Sequence, residues 1–119
     1  MVLVDTSVWV SHFRDGNNEL ENLLNDGAVL CHPLILGELA CGNLKDRTVI
    51  LSLLRLLPMC IEAQHEEALF LIEDKSLMGK GIGYIDAQLV ASSLLEGVPI
   101  WTLDKKLAQV ADSLHIKYN

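Results

Sequence analysis

Four acidic residues stand in four separate, strongly apolar segments: Asp5 in VLVDTSVW, Glu38 in ILGELACG, Asp86 in GYIDAQLVAS and Asp104 in IWTLDKKL. A lone carboxylate in such a setting is costly to desolvate. A fold that gathers several of them must neutralise them, and hard divalent cations do this through oxygen ligands. The chemistry indicated is a carboxylate-lined metal site. Singly, each acid has an ordinary explanation. Asp5 and Asp104 can cap helices, Asp86 can favour a helix dipole, and Glu38 can face solvent. Jointly they are harder to dismiss, because hydroxyls accompany them: Thr6 and Ser7 follow Asp5, and Thr102 sits two residues before Asp104. Ser7 and Thr102 can orient a carboxylate, hold a metal-bound water or contact phosphate.

The elements that must position these groups alternate. The apolar pattern predicts strands at 2–4, 28–31, 59–61, 99–103 and 116–118. It predicts a short helix through Ser7, Trp9, Val10 and Phe13, then one opened by Asn17-Asn18 and closed by Asp26-Gly27. Pro33 suits the first turn of a helix carrying Glu38. Further helices are expected at 46–57, 64–77, 84–95 and 104–114. Such alternation implies a parallel sheet covered by helices on both faces. Ligands bind beyond the carboxyl ends of the strands in such sheets, where strand order reverses. Asp5 and Asp104 fall one step past two predicted strands, with Glu38 and Asp86 on helices able to lean over the same edge.

At 119 residues the chain reads as one domain, 1–119, with room for a real core. Half of it is hydrophobic and the mean hydropathy is +0.31, which excludes disorder as a description. No secretory pattern opens it, and the longest nearly apolar stretch is too short for a bilayer, so a cytoplasmic location is expected. The net charge of -7 excludes a protein that coats nucleic acid through a general positive field. A nuclease remains open, since Arg14, Lys45, Arg47, Lys80, Lys105 and Lys106 can line one face. Cys31, Cys41 and Cys60 lack ligand spacing and are expected as buried, reduced thiols. The chain has no phosphate-cradling P-loop, and Gly79, Gly81 and Gly83 follow a helix rather than a strand, which suits a connector beside the site. Ser7 has no evident triad partners, and His12, Tyr84 and Trp101 are expected in structural roles.

With those four acidic blocks in order across the chain, the sequence resembles the PIN-domain ribonucleases, particularly the VapC toxins of prokaryotic toxin–antitoxin pairs. The resemblance implies a three-layer α/β/α fold with a five-stranded parallel sheet. It implies a Mg2+- or Mn2+-dependent endoribonuclease, a cognate VapB-type antitoxin and a homodimer. The family's acidic positions fall on Asp5, Glu38, Asp86 and Asp104, as metal ligands and catalytic residues, and its hydroxyls on Ser7 and Thr102. The chemistry expected is hydrolysis of RNA phosphodiesters by metal-activated water, leaving 5′-phosphate and 3′-hydroxyl ends.

Two other readings compete. A phosphoacceptor receiver domain has similar length and strand-end acids, but Asp5 is followed by Thr6 rather than a second acid, and 53–63 contains no Asp. A DxD phosphatase fails because position 7 is Ser. A catalytically silent module of the same fold is the other alternative, separable by a cleavage assay. The helix at 46–57 has more apolar residues than one buried stripe needs. With Trp9, Phe13, Leu20 and Leu24, it is expected to form a partner groove.

Overall fold

The computed structural model describes residues 1–119. In chain order the elements are β1 (Val2–Val4), α1 (Thr6–Asp15), α2 (Asn18–Asn25), β2 (Val29–Leu30), α3 (Pro33–Ala40), α4 (Arg47–Leu54), α5 (His65–Asp74), α6 (Tyr84–Glu96), β3 (Ile100–Trp101) and α7 (Lys105–Ser113). Both strand pairings are parallel, in the order β2-β1-β3. All three residues of β1 are buried, although alternate side chains point to opposite faces. Both faces of the sheet are therefore covered, as the α/β expectation requires.

The expected five-stranded sheet is narrower than predicted: only three strands form ladders. The two outer segments, around Met59 and Lys117, each contribute a single parallel bridge, to Cys31 and to Ile100. On the first flank, Cys31 N–H donates to Pro58 O at 2.9 Å and Cys60 N–H to Cys31 O at 2.8 Å. The next amide, Ile61 N–H, turns away to Glu96 Oε1 at 2.9 Å, which ends the pairing. On the other flank, Ile100 exchanges bonds only with Ile116 and Tyr118.

Helix ends follow local chemistry. Asn17 Oδ1 accepts from Leu20 N–H at 2.9 Å to start α2. His32 Nδ1 accepts from Leu34 N–H at 3.0 Å, ahead of Pro33 in the first turn of α3. Gly97, with φ +74°, ends α6 in the left-handed conformation that glycine tolerates. Helix α6 is the most deeply set, buried continuously from Ala87 to Ser93, and it packs chiefly on α5. Helix α4 ends three residues earlier than the pattern suggested, with 55–57 in a turn before Pro58. Leu54 is its only fully buried residue, while Val49 and Leu53 are exposed, as is Leu56 in the turn. Leu20 is fully buried in the core, so it cannot contribute to a surface groove as expected. Cys31 and Cys60 are buried thiols; Cys41, at the end of α3, is instead exposed. No helix is long and apolar enough to cross a membrane.

Candidate active site

Strand order reverses at β1, with β2 on one side and β3 on the other. The crevice expected at such a point opens past the carboxyl ends of β1 and β3, where Asp5 and Asp104 lie. Asp5 N–H donates to Trp101 O at 2.9 Å, carrying the strand pairing to the edge of the site.

Asp5 precedes α1 but makes no side-chain capping bond. Its Oδ2 instead accepts from Ser7 Oγ and Thr102 Oγ1, each at 2.8 Å. Because both hydroxyl protons point at Asp5, the 3.3 Å approach of Ser7 to Thr102 is a contact rather than a bond. Each hydroxyl oxygen also accepts from the backbone: Ser7 Oγ from Leu103 N–H at 2.9 Å, Thr102 Oγ1 from Asp104 N–H at 3.0 Å. Asp5 is only 6% exposed. Its Oδ1 remains open to solvent, since Trp9 Nε1 is the sole sealed side-chain polar atom lacking a partner.

The other acids arrive from three helices. Asp104 Oδ1 caps α7 by accepting from Leu107 N–H at 2.9 Å, so the capping explanation holds for this residue and fails for Asp5. Glu38, half-buried on α3, accepts at Oε1 from Thr6 Oγ1 at 2.7 Å. This role for Thr6 was only weakly legible, from a hydroxyl adjacent to Asp5. Asp86 occupies the first turn of α6, where Gly83 N–H approaches its Oδ2 at 3.4 Å. Burial raises the Asp86 pKa; the Gly83 amide opposes this, and repulsion from Asp5, Asp104 and Glu38 adds to the rise. The four predicted acids thus share one electrostatic field. His12 stands apart, accepting from Asn17 N–H at 3.0 Å in a structural contact.

The donor set is all oxygen and strongly anionic, which fits a hard divalent ion. No three acids, cysteines or histidines close on a single ion position. The molecule's three main concavities lie elsewhere, between α5 and α6 and around α1 and α4. None of these concavities is lined by Asp5, Glu38, Asp86 or Asp104.

The PIN domain family model matches residues 2–113. Ribonuclease VapC32 of Mycobacterium tuberculosis, in strains CDC 1551 and H37Rv, is 44% identical over 108 residues, covering 90% of this chain and 87% of that protein. The crystal structure of PAE2754 from Pyrobaculum aerophilum is similar in fold, with a TM-score of 0.60 at 15% identity, over 91% of this chain and 77% of that one. The receiver and DxD phosphatase readings fall to these matches. With nearly the whole chain matched at both levels, it belongs to the PIN-domain family and, within it, to the VapC ribonucleases.

Proposed function

We propose that this protein is an endoribonuclease that hydrolyses RNA with Mg2+ or Mn2+ held by Asp5, Asp86 and Asp104, directly or through waters, with Glu38 completing the charge. The observation that carries this reading is the gathering of four carboxylates past one sheet edge, in a chain of the VapC ribonuclease family. When bound, the ion supplies Lewis-acid polarisation of the scissile phosphate and activation of water. The chain's own residues do the positioning. Ser7 and Thr102 hold Asp5 by one oxygen, Oδ2, and leave Oδ1 without a hydrogen-bond partner. Thr6 fixes Glu38 across from it. The Leu107 amide holds one oxygen of Asp104, which turns the other free. Incubating purified protein with RNA in Mg2+, Mn2+ or EDTA tests the reading. Cleavage that requires the ion and is lost in Asp5→Asn supports it; no cleavage with either ion leaves the silent-module alternative.

The partner reading is a cognate VapB-type antitoxin and a homodimer. A groove of about 360 Å³ between α1 and α4, walled by Trp9, Phe13, Ile50 and Leu53, suits an apolar antitoxin segment. A second apolar face, with Phe70, Leu94 and Leu95 exposed on α5 and α6, is available for a second copy. Light scattering at micromolar concentration tests the dimer, and a monomer there removes it.

A further inference from the structure

One buried titratable group has no part in the chemistry described above. His32, 1% exposed, stands between β2 and α3. Its Nδ1 accepts from Leu34 N–H at 3.0 Å, so a neutral ring carries its proton on Nε2 and donates it to Ser92 Oγ at 3.0 Å. Ser92, fully buried on α6, also accepts at Oγ from Ala63 N–H at 3.1 Å. The Ser92 carbonyl takes the buried Cys60 thiol at 3.6 Å. One imidazole and one hydroxyl thus join the start of α3, the middle of α6 and the segment 60–63. Burial lowers the His32 pKa, against the opposing charge of Glu62, which keeps the ring neutral and its tautomer fixed at neutral pH.

Both helices joined in this way carry acids. Glu38 lies six residues past His32, and Asp86 six residues before Ser92. At the helical rise, each acid is about 9 Å along its helix from the bond. The two acids in turn feel each other: burial is the main cause of the raised Asp86 pKa, and the Glu38 charge adds to it. The helices pack chiefly on other elements, α3 on α1 and α4, and α6 on α5. The imidazole–hydroxyl bond is the side-chain hydrogen bond that ties them to each other. A buried, fully satisfied polar network of this kind rigidifies the packing and selects one arrangement of it.

We propose that His32 is a positioning residue of the acidic site: through Ser92 it fixes α3 against α6, and with them the separation of Glu38 and Asp86. The inference rests on the metal-dependent reading, and its test is read by ion affinity so that the two can fail separately.

Substitution can separate the two ring nitrogens. In His32→Asn the side-chain amide can replace Nδ1 and keep the cap, but it is too short to reach Ser92. In His32→Gln the longer amide can replace Nε2 and keep the tie. Ser92→Ala removes the tie from the α6 side. The experiment is a Mn2+ titration of each purified variant, followed by the electron paramagnetic resonance signal of the free ion. Affinity is expected to fall roughly tenfold in His32→Asn and in Ser92→Ala, the low end for groups that support metal ligands. The double variant is expected to lose no more than either, because both changes remove the same bond. His32→Gln is expected to restore affinity over His32→Asn although it gives up the cap. Asn17→Ala, which removes a helix cap on α2, is expected to leave affinity unchanged and so controls for lost stability. Thermal melts confirm folding, and Ser92→Ala, a change that favours helix, carries the comparison should His32→Asn not fold. Wild-type affinity in both single variants, losses that add in the double, or a greater loss in His32→Gln than in His32→Asn overturns the positioning role and leaves the metal site standing. No Mn2+ binding by the wild type removes the metal reading and the positioning role with it.

Discussion

Asp104 has two tasks that one substitution can separate. Its Oδ1 caps α7, and its charge belongs to the acidic crevice. Asp104→Asn keeps an acceptor at the cap, so the urea midpoint is expected to stay near wild type. RNA cleavage in Mn2+ is expected to fall to background because the ligand charge is gone. Wild-type cleavage in this variant would reduce Asp104 to a cap. Thr102→Val removes one of the two hydroxyls that orient Asp5. A loss of about 10- to 100-fold in cleavage or metal affinity is expected, the usual cost of losing a ligand's supporting bond. The thiols give a further check. Burial pushes the Cys31 thiol up, and burial with the neighbouring Glu96 charge pushes Cys60 up to about 12, so both stay protonated and inert. Iodoacetamide is expected to label the exposed Cys41 alone in the native protein, and all three cysteines in urea. Fast native labelling of Cys60, read by peptide mass spectrometry, would contradict this packing.

The helices divide into those that serve the core and those left partly unused. The Asn17 cap on α2 is ordinary stabilisation: Asn17→Ala is expected to cost about 1 kcal/mol in a urea melt, with cleavage unchanged. Helix α4 behaves differently, because Leu53 is 59% exposed and Val49 61%. Leu53→Glu is therefore expected to alter stability by no more than about 0.5 kcal/mol, as exposed substitutions do. The same change is expected to abolish binding of a VapB-type antitoxin, by placing a charge in the groove wall. Unimpaired antitoxin binding by a folded Leu53→Glu protein would move the partner to another face. Short outer strands also have a cause at this level. The Ile61 amide pairs with Glu96 rather than with β2, so the sheet stops at one bridge on that flank.

Stability of the metal-free protein should depend on pH through two groups of opposite sign. Burial raises the Asp86 pKa, so the folded form binds more protons than the unfolded chain. That contribution is fully present below the unfolded carboxylate value of about 3.9 and is lost as pH rises through the raised folded value. Burial lowers the pKa of His32, whose Nδ1 already accepts from Leu34 and whose Nε2 faces Ser92 Oγ at 3.0 Å. Its contribution is present above the unfolded value of about 6.5 and is lost as pH falls through the lowered one. His32→Asn, which can keep the cap, is expected to flatten the loss below pH 6.5, and Asp86→Asn the loss above 3.9. On the proposed reading divalent metal binds the ionised acids, which is expected to add about 2.7 kcal/mol when free metal is 100 times its dissociation constant. The Mg2+ or Mn2+ shift in Tm is therefore expected to be larger at pH 8 than at pH 5, and smaller in Asp5→Asn. Equal shifts at both pH values, unchanged by that substitution, would falsify a shared metal site.

Much of this was legible in one dimension because it depends on neighbours in the chain. Val2-Leu3-Val4 followed by Asp5, and Ile100-Trp101 followed by Thr102 and Asp104, already set acids past strand ends. The alternating pattern then selected a parallel sheet and the edge where its order reverses. Capping signals at Asn17 and Pro33 are equally local. What depends on distant partners was not legible. Whether Asp5 caps a helix or faces the crevice turned in part on the Thr102 hydroxyl, 97 residues away, so Asp5 and Asp104 divided those roles only in the folded chain. Thr6 found Glu38 across 32 residues of sequence. The widths of the outer strands, the exposure of Cys41 and the burial of Leu20 followed from packing that no periodicity reports. The Lys106 stem resting on Gly81 is of the same kind: a glycine that reads as a flexible connector is, in three dimensions, in contact with the first turn of α7.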